Sequence, residues 1–187
     1  MRRFGLISFF LVLAAVLSTP GSRAQGHDMG KMTDDQIVAS AMKAAPAAIA
    51  KDATVIDVGA DGAVRTVRKG TNNYTCMADA PATPGPDAMC ADANAMEWID
   101  AWLHHKTPTA GKVGFMYMLE GGTDASNTDP YATAPAAGNH WVKTGPHVMV
   151  VGGGAMPGYP RTPDPDTSKP YVMWADTPYE HLMLPVK

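Results

Sequence analysis

The spacing of hydrophobic positions changes from segment to segment, and those changes predict the elements. Thr33-Asp34-Asp35-Gln36 has the form of a capping box, and Ile37, Ala41 and Met42 follow at helical spacing. Pro46 breaks or kinks what comes after. Alternation over 54–58 and 63–68, on either side of Gly59-Ala60-Asp61-Gly62, predicts a hairpin. Residues 70–91 contain Pro81, Pro84, Gly85 and Pro86, which argue against long regular structure there. A helix is predicted over 92–106, with Asp92 as its cap and Met96, Ile99, Trp102 and Leu103 on one face. His104, His105 and Lys106 then fall in its last turn, where cations suit the helix dipole.

Gly114-Phe115-Met116-Tyr117-Met118-Leu119 reads as a buried strand with Met116 and Met118 on one face. The polar stretch 120–139 reads as a long loop. Its Ser126-Asn127-Thr128-Asp129 run matches no EF-hand spacing and reads as turn chemistry. Strands follow over 147–151, 171–175 and 181–184, the last two forming a hairpin across Asp176-Thr177-Pro178. The sum is an α+β fold, a mainly antiparallel sheet of about five or six strands with two helices.

The C-terminal strands carry the chemistry. In Gly145-Pro146-His147-Val148-Met149-Val150-Val151, one face shows Val148 and Val150 and the other shows His147 and Met149. In Tyr179-Glu180-His181-Leu182-Met183-Leu184-Pro185-Val186, Leu182, Leu184 and Val186 oppose His181 and Met183. The aliphatic faces are expected to point into the core. Side by side, the two His-x-Met faces would bring imidazoles and thioethers together, a donor set suited to copper. The predicted ligands are His147, Met149, His181 and Met183, with Met116 or Met118 as an addition. The competing reading is that methionine simply fills irregular core gaps.

The N-terminus changes where this domain is expected to work. Met1-Arg2-Arg3, an apolar run over 6–17 and a small, polar stretch over 18–25 form a secretory signal pattern. The expected organisation is a signal peptide over 1–25 and a single globular domain over 26–187. The apolar run falls short of the roughly 20 residues of a membrane span, so no span is expected after cleavage. Cleavage takes Lys+Arg from 15 to 12 against 18 Asp+Glu, a net charge of −6 that argues against nucleic acid as a partner. Export places Cys76 and Cys90 in an oxidising compartment, where they are expected to form a disulfide worth about 3 kcal/mol on the chain-entropy model.

Tyr74-Thr-Cys-Met77, Asn139-His-Trp-Val-Lys-Thr-Gly-Pro-His147, Tyr171-Val-Met-Trp174 and Pro178-Tyr-Glu-His-Leu-Met183 together resemble a group of exported bacterial proteins of unknown function. The resemblance implies a bacterial periplasmic or extracellular location, and no activity, cofactor or catalytic residue. Three functions therefore stand as expectations. The first is soft-metal binding, with copper as the ion. The second is a binding module for a small apolar ligand or an envelope protein, using Met116, Met118, Trp141, Trp174 and Tyr179. The third is a hydrolase pairing His181 or His147 with Asp176 or Glu180. No nucleophile elbow, zincin motif or phosphate loop supports the third.

Overall fold

The computed structural model describes residues 32–154 and 156–186. The signal pattern lies outside the described residues. The capping box forms as expected: Gln36 N donates to Thr33 Oγ1 at 3.3 Å and Thr33 N to Gln36 Oε1 at 2.8 Å, opening α1 (Asp34–Ala41). Pro46 does not end helical structure. It caps a further short helix, α2 (Ala47–Ala50), because its fixed φ suits a helix start. The third helix, α3 (Ala93–Leu103), is capped by Asp92, whose side chain accepts from Ala95 N at 2.8 Å and from Phe115 N at 3.0 Å.

The strands are β1 (Thr54–Val58), β2 (Val64–Arg68), β3 (Tyr74–Met77), β4 (Met89–Asp92), β5 (Gly114–Met118), β6 (Ala125–Ser126), β7 (Trp141–Val142), β8 (His147–Val151), β9 (Tyr171–Met173) and β10 (His181–Pro185). Eight form one sheet in the order β2-β1-β3-β4-β5-β8-β10-β9, and β6 pairs with β7 alone. Every pairing is antiparallel except β1 with β3. The sheet is wider than the expected five or six strands. The cysteine segment supplies β3 and β4, four-residue strands between turns that the prolines and glycines hid. The Cys76–Cys90 disulfide joins them at directly opposed positions.

Two cores lie on opposite faces of this sheet. Val55, Cys76, Cys90 and Tyr117 are in register across β1, β3, β4 and β5, and pack under α1 and α2 with Ile37, Ala41 and Ala50. On the other face, Ala91, Met116, Met149, Met183 and Tyr171 form one row across β4, β5, β8, β10 and β9. Helix α3 covers that row with Trp98. Gly114 makes the close approach feasible, because a Cβ there would lie 2.3 Å from Ala95 N.

Two expectations are corrected by this packing. The His/Met face of β8 and β10, rather than the aliphatic one, points into the deeper core. His147, His181 and Met183 are buried, whereas Val148, Val150 and Leu184 are half-buried and Val186 is exposed. Aliphatic Leu182 is also buried. The buried stripe of α3 is Ala95, Trp98 and Ala101, with Met96, Ile99 and Trp102 half-buried, and Leu103 is 60% exposed. No helix of the described residues is long and apolar enough to cross a membrane.

Candidate functional site

The register of β8 against β10 decides how the predicted ligands meet. Met149 lies directly opposite Met183, and His147 lies opposite Pro185. The thioethers are therefore brought together as expected, whereas the imidazoles are not side by side. His181 sits at the far end of β10, paired with Met173 of β9. On the other flank, Met118 of β5 is opposite His147, and Met116 is opposite Met149. Because cross-strand partners share a face, all of these side chains project to the same side of the sheet.

They converge on a chamber of about 190 Å³ between this face and α3. His147, His181, Met149 and Met183 all line it, as do Met116 and Met118. Met89 and Met173 complete the set, so six of the chain's 13 methionines face one cavity. Dispersed gap-filling would scatter them through both cores. The α1/α2 core instead relies on alanine, and its closest methionines, Met32 and Met42, are only partly buried at its edge.

Both imidazoles are held in the same manner. His147 Nδ1–H donates to Gly145 O at 2.6 Å, and His181 Nδ1–H donates to Tyr179 O at 2.9 Å. A carbonyl only accepts, so each Nδ1 carries the proton and each Nε2 keeps its lone pair. Among the described residues, neither Nε2 has a hydrogen-bond partner. Burial pulls His181 down to about 4 against the opposing effect of the Tyr179 carbonyl, and nearby His147 lowers it further. Burial also lowers His147, with the Gly145 carbonyl opposing. Both rings are thus neutral near pH 7, with a ligating nitrogen free. A second-site hydrogen bond that fixes the tautomer is what metal-binding histidines ordinarily have.

Aromatic side chains wall the chamber at its His181 end. Trp174 and Trp98 meet that ring edge-on, with centroids 4.9 and 5.4 Å away, and the two indoles stack on each other at 6.1 Å. Trp174 occupies the left-handed region, φ 54°, an unfavourable place for a bulky residue. Its surroundings hold it there. Trp174 N donates to Asn127 O at 2.8 Å, its Nε1 to Ser126 O at 2.9 Å, and Thr177 Oγ1 donates to Trp174 O at 2.7 Å. Strain stored this way concentrates at functional positions. At the other end Gly122 lies so near His147 that a Cβ would fall 3.0 Å from its Cε1 and 2.6 Å from Thr144 Oγ1.

The donor set is soft. Asp87 is the one carboxylate lining the chamber, and its Oδ1 accepts from Ala80 N at 2.7 Å. Burial raises its pKa, with Asp79 adding to the effect. Among the described residues, no group of three or more His, Cys, Asp or Glu is placed to hold a metal ion. The cysteines are committed to their disulfide, on the opposite face. The larger hollow, about 620 Å³, lies next door and shares Gly122 and Thr144 with the chamber. Its walls are mainly Gly, Pro and Thr with Glu120, Asp124 and Lys143, and it contains no His or Met. Size and chemistry thus point to different cavities, and the chemistry is in the smaller one.

Among the described residues, neither His147 nor His181 pairs with Asp176 or Glu180, as the hydrolase reading requires. Glu180 and Asp176 both bond to Arg161, and Glu180 also accepts from Met156 N and Asp176 N. Sequence reasoning missed Trp98, Met89 and Met173 as site residues. Met173 was legible in principle: it lies beside Trp174 in a predicted strand whose hairpin partner carries His181. Compared with protein-family models, curated proteins and solved structures, the chain gives no match.

Proposed function

We propose that this protein binds a soft monovalent metal ion, copper(I), in the chamber between β5, β8, β10, β9 and α3. The observation that carries the reading is six thioethers and two neutral imidazoles, each with an unbonded Nε2, around one cavity. Thioether and imidazole favour copper(I), whereas carboxylate and carbonyl oxygens favour harder ions. His147, Met149, His181 and Met183 are the proposed ligands first named by their strand pattern, and Met116, Met118 and Met173 extend the set. Binding and delivery of copper in the bacterial envelope, after export, is the role this chemistry suits.

A reversible site for a small apolar molecule is the second reading, favoured by the indole and thioether walls. The cavity of about 190 Å³ is below the 300–1,000 Å³ usual for small-molecule pockets, which limits such a ligand to roughly benzene size.

A copper(I) competition titration against a chromophoric chelator, run under reducing conditions beside the His147→Ala/His181→Ala variant, tests the proposal. Tight binding to the wild type and its loss in the variant is the expected result. Affinity no better than that of an unfolded methionine-rich peptide would end the metal reading. An indole fluorescence change with benzene and none with copper(I) would support the apolar one.

A further inference from the structure

The proposed copper function leaves open how many ions the chamber holds, and strand register bears on that number. His147 is opposite Pro185 on β10, and Pro185 is four residues beyond His181. At about 3.3 Å per residue and about 4.8 Å between strands, the two histidine backbones stand roughly 14 Å apart. Side chains on a strand stand off the sheet roughly at right angles. The two imidazoles therefore enter the one chamber from positions four residues apart along the strands, each among different thioethers.

Each histidine has thioethers of its own. Met118 is directly across from His147, and Met149 is the next residue on the same face of β8. Met173 is directly across from His181, and Met183 is the next residue on the same face of β10. Met149 and Met183 are themselves a directly opposed pair, and Met116 extends their row. The two groups thus adjoin through a shared line of sulfur.

We infer that the chamber is a two-ion site. One copper(I) is held by His147, Met118 and Met149, the other by His181, Met173 and Met183, with Met116 beside the Met149–Met183 seam. Each subsite has one nitrogen and two sulfurs, with both ligand types neutral, so that each bound ion brings its full charge. The inference rests on the copper(I) reading, which is a separate claim about the ion. The seam also gives the ions a continuous thioether path from one subsite to the other, so that loading through one end fills both.

Stoichiometry tests this directly. Silver(I), a redox-silent stand-in for copper(I), is titrated into the purified protein and counted by native mass spectrometry, with copper(I) chelator competition in parallel. The wild type is expected to take two equivalents. Met118→Leu and Met173→Leu, which conserve volume, are each expected to lower the tight stoichiometry from two to one, and their pairing is expected to lower it to none. A single equivalent in the wild type, abolished by either substitution, would overturn the two-ion arrangement while leaving copper(I) binding intact. No tight binding of either ion would instead overturn the copper(I) reading and this inference with it. The wild-type count is decisive even where a variant fails to fold.

Discussion

At the scale of single residues, burial of neutral histidines sets a pH limit on the fold. His181 titrates near 4 in the folded chain, against an unfolded value of 6.5. The unfolded chain therefore binds the extra proton first as pH falls. Stability from this group is intact above about 6.5 and is lost progressively down to about 4. At about 1.4 kcal/mol per pKa unit, the loss is on the order of 3 kcal/mol. His147, lowered in the same direction, adds to it. Urea denaturation of the metal-free protein at pH 7.0 and pH 4.5 is expected to show the fall, and His181→Gln is expected to flatten it. Tyr171 offers a simpler case. Among the described residues its buried hydroxyl has no hydrogen-bond partner, and burial pushes its pKa up to about 12. Tyr171→Phe removes an unsatisfied group at nearly constant shape. It is expected to stabilise by about 1 kcal/mol, read as a higher denaturation midpoint, and a lower midpoint would show that the hydroxyl has a partner.

At the scale of elements, α3 is the lid of the chamber and Trp98 is its principal contact. Trp98 stacks on Trp102 and on Trp174, which also touch each other, and meets Tyr179 and His181 edge-on. Trp98→Ala is expected to cost about 3–5 kcal/mol, and Trp98→Phe distinctly less, both measurable by thermal or urea denaturation. Helix α3 also shows where sequence reading stops. Its existence and its Asp92 cap were legible, because capping chemistry is local. Its buried face was not. Met96, Ile99, Trp102 and Leu103 make a larger-looking stripe than Ala95, Trp98 and Ala101, yet close approach to Gly114 selects the small residues. In the same way, period-2 alternation separated the His/Met face from the aliphatic face on β8 and β10. Which of them lies deeper depends on where α3 packs. Register was equally out of reach, since nothing in either strand says that Met149 meets Met183 while His147 meets Pro185. Strands β3 and β4 were hidden for another reason. Each is four residues long, and their pairing is made across an intervening loop rich in proline.

At the scale of the whole molecule, one sheet serves two cores that divide the work. The α1/α2 face is small-residue packing stapled by Cys76–Cys90, and the α3 face is the chamber. This division predicts that removing the disulfide, with Cys76→Ala and Cys90→Ala together, costs about 3 kcal/mol of stability and leaves copper(I) affinity unchanged within twofold. A parallel fall in both would show that the two faces are coupled. The central claim is the chemical nature of the chamber, and X-ray absorption at the copper edge of the copper(I)-loaded protein tests it most directly. The account predicts a first shell of sulfur with a minority of imidazole nitrogen. A shell of oxygen, or of nitrogen without sulfur, would contradict it.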